Sequence, residues 1–182
     1  MTIRSTGSHY GAIAQGFHWL TVILVLGAYI TSEGGSEAKI YSAAFDTTRR
    51  IHETFGLAVL AVVVLRLLWR LADRTPAPTE APVWMQRVAK AAHILLYVLL
   101  FAVPLSAVFG TWFQGHPVTP LGFDFAAPMA PSRGLGGTSI EAHELLGNAI
   151  LWLAGIHAAA ALLHHFVLHD SVLRRMLPGG RT

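Results

Sequence analysis

Four histidines carry the pattern in this chain most open to chemical reading. His18 and His157 each stand two places after a glycine, in GFH and GIH, and His52 and His143 each open a His-Glu-x-x-Gly run, HETFG and HELLG. All four fall within or beside long apolar stretches. Imidazole binds transition metals through either ring nitrogen and changes charge near neutral pH. Histidines in two matched pairs inside apolar segments therefore point to metal-centred electron transfer or to proton movement.

The elements that must position them are membrane helices. Hydrophobic residues make up 53% of the 182 and charged residues only 13%, against about a quarter charged in an ordinary soluble domain. The mean hydropathy is +0.51. A helix needs ~20 apolar residues at ~1.5 Å each to cross ~30 Å of hydrocarbon. Four segments qualify, spanning about residues 10–31, 52–71, 91–113 and 143–169. Residues 55–65 and 94–113 carry no charge and show no polar face, which argues against buried helices of a soluble bundle. The fold expected is an all-α, four-helix membrane bundle of one domain over residues 1–182. The run RTPAPTEA stops the second span, Ser32–Asp46 reads as a short loop, and the Gly- and Pro-rich stretch from Gln114 to Gly137 reads as an irregular one.

Orientation follows from lysine and arginine. With four spans, one side holds Arg4, Arg66, Arg70, Arg74, Arg87, Lys90, Arg174, Arg175 and Arg181, and the other holds Lys39, Arg49, Arg50 and Arg133. The nine-to-four excess puts both termini in the cytoplasm. The pI of 9.7 is accordingly membrane-flanking charge, and no nucleic-acid partner is expected. The N-terminal segment lacks a small-x-small cleavage site and does not read as a signal peptide.

Depth then pairs the histidines. His143 and His157 lie 14 positions apart, which is ~21 Å of rise and ~40° short of four full turns, so both rings face roughly the same way. His18 and His157 belong to the cytoplasmic side, His52 and His143 to the outer side. Cross-pairing would ask ligands ~20 Å apart to share one ion at bonds near ~2 Å. Each depth offers two good ligands, too few for a closed zinc site, and neither HETFG nor HELLG is the H-E-x-x-H of a metalloprotease. With no cysteine, iron–sulfur clusters, disulfides and C-x-x-C-H attachment are excluded. Two non-covalently bound haems, each between two imidazoles, fit best, and such iron has no open position for oxygen. Gly16, Gly56, Gly147 and Gly155 beside the ligands would let a flat macrocycle approach the helices. A histidine-based proton or metal transporter is the competing reading.

The chain resembles the bacterial cytochrome b561 family of four-helix dihaem proteins. FHWL, IHETFG, AHILLYVLLFAVPLSA, AHELLGN, GIHAAAALLHHF and LRRMLPG carry the likeness along essentially its whole length. It is most similar to the superoxide oxidase branch. The resemblance implies two haems b ligated by His18 with His157 and His52 with His143, oxidation of superoxide at the periplasmic face and reduction of ubiquinone. The wider superfamily includes cytochrome b subunits of nickel–iron hydrogenases, so an electron-transfer subunit serving a redox partner is the alternative.

Other residues take roles from position. Lys39, Arg49, Arg50 and Arg133 on the outer side could attract an anion. His164 shares the face of His157 and, with His93 at the start of the third span, is a candidate proton donor or quinone contact. Arg66 and Arg70 either snorkel to headgroups or pair with haem propionates. Glu53 and Glu144 are expected near helix starts, and Trp19, Trp69, Trp84 and Trp112 near the membrane interfaces.

Overall fold

The computed structural model describes residues 2–7, 9–32, 34–77 and 81–178. Arg181 and residues 78–80 of the proline-rich turn lie outside them. Five helices follow one another: α1 Ala12–Ile30, the single-turn α2 Glu37–Ile40, α3 Asp46–Ala72, α4 Val83–Phe113 and α5 Arg133–Phe166. Two 3-10 turns, Pro120–Gly122 and Arg174–Met176, complete the elements. Among the described residues there is no strand, only a bridge between Val118 and Phe125. The chain is an all-α membrane bundle, and α1, α3, α4 and α5 are each long and apolar enough to span a bilayer.

Three of the long helices begin earlier than the apolar runs indicate. The extra residues at the start of α3 are polar, and they hold one another. Asp46 lies in the first turn, where the helix dipole favours a carboxylate, and accepts from Arg49 Nη2 at 2.5 Å and Arg50 Nε at 2.8 Å. The opening of α4, with Gln86, Arg87 and Lys90, continues the helix beyond the apolar stretch. α5 begins at Arg133, inside the stretch expected to be loop. His52 and His143 therefore sit well inside their helices. Glu53 and Glu144 are likewise not at helix starts; Asp46 takes that place in α3.

Glycine explains why α5 forms against α4. A Cβ on Gly136 would come within 2.9 Å of the Gln114 side chain and 3.1 Å of its main-chain nitrogen. One on Gly110 would meet Ile140 Cδ1 at 2.7 Å. Small residues let two helices approach closely in a membrane, so α4 and α5 form one tight hairpin. α1 and α3 form the other, with Gly27 against Phe55. The hairpins meet through α3 and α4 in a core of Val59, Val63, Leu99, Leu100 and Ile150. Val63 is fully enclosed.

Most other apolar side chains face outward, with Ile23 62% and Trp152 77% exposed. A soluble protein does not leave so broad an apolar surface open, and a bilayer covers it.

Hydrogen bonds across the chain sort the connections into two ends. At one, called here the terminal end, the N-terminal segment, the α3–α4 connection and the C-terminal segment are tied together. Ser5 Oγ donates to Asp73 at 2.6 Å, Arg175 Nη1 to the Ala77 carbonyl at 2.7 Å and Trp19 Nε1 to the Met176 carbonyl at 2.8 Å. At the other, the loop end, residues 34–45 and 114–132 close over the bundle.

Candidate functional site

Toward the loop end, His52 on α3 and His143 on α5 face each other across the gap between the hairpins. Their ring centroids are 5.9 Å apart and their planes cross at 85°. His52 Nδ1 donates to the Ala28 carbonyl at 2.7 Å and His143 Nδ1 to that of Val103 at 2.8 Å. Both acceptors are explicable. Ala28 is among the last four residues of α1, whose carbonyls lack an intrahelical partner. The Val103 carbonyl also accepts from Ser106 Oγ at 2.8 Å, and a carbonyl oxygen has two lone pairs to share. A carbonyl can only accept, so Nδ1 carries the proton and Nε2 keeps its lone pair. Metal-binding histidines are oriented in this way.

A cavity of about 710 Å³ surrounds the pair, walled by Val59, Leu100, Ile150 and Val103, with Gly56 and Gly147 beside the imidazoles. Cofactor sites run from roughly 300 to 1,000 Å³. A Cβ added to either glycine would meet nothing within 4 Å, so both open onto space. The spacing fits a bis-imidazole iron: two metal–nitrogen bonds near ~2 Å plus half a ring on each side come to about 6 Å.

Toward the terminal end, His18 on α1 and His157 on α5 stand 6.5 Å apart between ring centroids. Gly16 and Gly155 likewise have nothing within 4 Å of an added Cβ. His93 on α4 lies 5.3 Å from His157. It is thus a third imidazole beside the pair, well inside its helix rather than at its start. Arg66 Nη2 approaches His18 Nδ1 at 3.4 Å, and the Arg66 and Arg70 guanidiniums lie 5.4 and 5.9 Å over the Tyr97 ring. Among the described residues, no group of three or more His, Asp or Glu is arranged to hold a metal ion.

The loop end is more ordered than its composition indicates. Glu53 accepts from Arg49 Nη1 at 2.6 Å and from the Thr119 amide and hydroxyl at 2.6 and 2.9 Å, and Thr119 is buried. Tyr41 stacks on His116 with centroids 3.6 Å apart, and His116 Nε2 bonds Glu37 at 2.8 Å. Burial pushes the Tyr41 phenol above its usual value. Arg49 and Arg50 are answered by Asp46 and Glu53, so these four charges cancel at a distance. Lys39 Nζ donates to the Gly34 carbonyl and lies 4.7 Å over Phe45, while Arg133 is exposed at the start of α5. At the terminal end, His164 Nδ1 is bonded to Asp170, beyond the end of α5. Burial raises the Asp170 carboxyl, but the His164 bond and the Val172 amide outweigh it and hold it below the usual range.

The chain matches the prokaryotic cytochrome b561 family over residues 9–179. It belongs to that family. Cytochrome b561 homolog 2 of Escherichia coli (strain K12) is 31% identical over 179 residues, covering 97% of this chain and 95% of its own length. A Yersinia pestis protein named Probable superoxide oxidase CybB is 31% identical, covering 94% and 97%. Cytochrome b561 homolog 1 of Escherichia coli (strain K12) is 29% identical, covering 88% and 92%. As a cytochrome b561, the protein is a bacterial membrane electron-transfer protein of oxidoreductase type, and its family implies b-type haem.

Sequence reasoning missed the Glu53–Thr119 contact, the Ser5–Asp73 tie and the Asp170 partner of His164. Each joins residues by packing rather than by spacing. The acidic residue one place after His52 was the only signal for the first.

Proposed function

We propose that this cytochrome b561 holds two haems b across the bacterial inner membrane and carries electrons from superoxide at the periplasmic face to ubiquinone. His52 and His143 ligate the outer haem, and His18 and His157 the inner one. The observation that carries the reading is the pair of imidazole pairs, 5.9 and 6.5 Å between rings, joined by the ~21 Å rise along α5. The loop end is periplasmic and both termini are cytoplasmic, supported by the excess of lysine and arginine at the terminal end. When bound, a bis-imidazole haem exchanges one electron at a time without binding oxygen.

The chain's own residues do the rest. The Ala28 and Val103 carbonyls hold the outer imidazoles in the tautomer that presents Nε2. Val59, Leu100 and Ile150 keep the outer cavity apolar. Superoxide gives up one electron and leaves as oxygen; two electrons and two protons turn a quinone into a quinol. His164, with Asp170 behind it, and His93 are the candidate proton donors. Of the four candidate steering cations, Arg49 and Arg50 are offset by carboxylates. Attraction of the anion therefore falls to Arg133, exposed at the start of α5. The superoxide assignment draws on the Yersinia pestis relative.

A second reading is an electron-transfer subunit serving a hydrogenase or another dehydrogenase partner. It is favoured by Leu121, Phe123 and Phe125, 77%, 68% and 55% exposed at the loop end. Stopped-flow mixing of the purified protein with superoxide separates the two. Rapid haem reduction, followed by reoxidation on adding quinone, is expected. No reduction by superoxide would contradict the first reading.

A further inference from the structure

The two histidine pairs differ in what stands behind them. At the outer pair both Nδ1 atoms donate to main-chain carbonyls. An acceptor behind an imidazole makes the ring a stronger electron donor and favours ferric iron. Glu53, Glu141 and Glu144 also line the outer cavity, with Arg49 already bound to Glu53 and Asp46. At the inner pair the Arg66 guanidinium stands 3.4 Å from His18 Nδ1. A guanidinium can only donate, and a His18 ring that offers Nε2 to a metal carries its proton on Nδ1, so positive charge faces that ring without a hydrogen bond where the outer rings face oxygen.

The inner charge is also uncompensated among the described residues. Arg66 and Arg70 are one turn apart, both over the face of Tyr97. Among the described residues no carboxylate pairs with either. The contrast with the outer end is direct, since Arg49 and Arg50 there share Asp46 and Glu53. A cation held in apolar surroundings is screened little and stabilises the more reduced, less positive state of a nearby centre.

We infer that Arg66 sets the polarity of electron flow: its guanidinium behind His18 makes the inner haem the higher-potential centre, and the carbonyl-backed outer haem is the lower one. This rests on the dihaem reading above. Electrons then run downhill from outer to inner, one at a time, with quinone as the terminal oxidant. Arg66 acts through His18 and is a positioning residue rather than a catalytic one.

Potentiometric titration of the purified, haem-loaded protein followed by visible absorbance tests this. In H52A, which keeps the inner haem, the midpoint should be higher than in H157A, which keeps the outer. R66Q should lower the higher midpoint of the full protein and leave the lower one in place, and R66K should restore most of the difference. Equal or reversed midpoints, or an R66Q that moves neither, would overturn the inference. If R66Q loses the inner haem, the order of the two single-haem variants decides alone. Protein that purifies without haem absorbance would remove the dihaem reading and this one with it. Failure of superoxide as donor, with the midpoint order intact, would remove the substrate assignment and leave the role of Arg66 standing.

Discussion

The imidazoles of His52 and His143 stand 5.9 Å apart, and each turns its Nδ1 to a carbonyl on a neighbouring helix, Ala28 on α1 and Val103 on α4. All four long helices therefore build the site at the loop end. α3 and α5 supply rings, and α1 and α4 fix their orientation. The rings face each other over a cavity rather than packing together, because the hairpins join in a core that leaves glycines at positions 56 and 147.

Those glycines make the first prediction. G56L and G147L place a side chain where an added Cβ meets nothing within 4 Å, so the bundle should fold with its helix content unchanged. The side chain would occupy the outer cavity, and the haem-to-protein ratio should fall by about one per chain, read from the pyridine haemochrome spectrum. Retention of full haem would mean that the cavity is not the site.

Gly110 should behave in the opposite way. Its Cβ would lie 2.7 Å from Ile140 Cδ1 and 3.2 Å from the Ile140 main-chain nitrogen. G110A should lower stability by about 1–3 kcal/mol, as overpacking does, seen as a lower thermal midpoint in detergent. An unchanged midpoint would argue against the close α4–α5 approach.

Glu53 joins α3 to the loop after α4. E53A leaves Arg49 short of one carboxylate and two Thr119 donors without their acceptor, at a cost of about 1–3 kcal/mol. R133Q should leave stability unaltered and slow superoxide-driven haem reduction at low salt, with the difference shrinking as salt rises. A rate insensitive to both would end the steering role.

The terminal end carries a pH dependence. The Ser5 hydroxyl and amide hold the Asp73 carboxyl below its usual range. A depressed carboxylate contributes stability above its unfolded pKa, ~3.9, and loses it as pH falls through the lower folded value. Hydrogen-exchange protection of residues 2–7 and 9–11 should therefore exceed that of S5A at neutral pH, and the two should converge below about pH 4. A difference that persists in acid would place the tie elsewhere.

The four spans and the depth of each histidine were legible because hydropathy and the 1.5 Å rise act locally. What escaped was set by partners distant in sequence. The run RGLGG reads as loop, yet Gly136 is there so that α5 can close on Gln114. Arg49 and Arg50 read as charges that attract an anion, but Asp46 and Glu53 neutralise them inside the first turns of α3. His164 showed its face on the helix and not the Asp170 that bonds it.

Haem stoichiometry across single histidine variants tests the central claim most directly. Purified wild-type protein should carry two haems b per chain. H52A and H143A should each keep one, with identical spectra, and H18A and H157A should each keep the other. A chain that binds no haem, or variants whose losses group in any other way, would contradict the two sites.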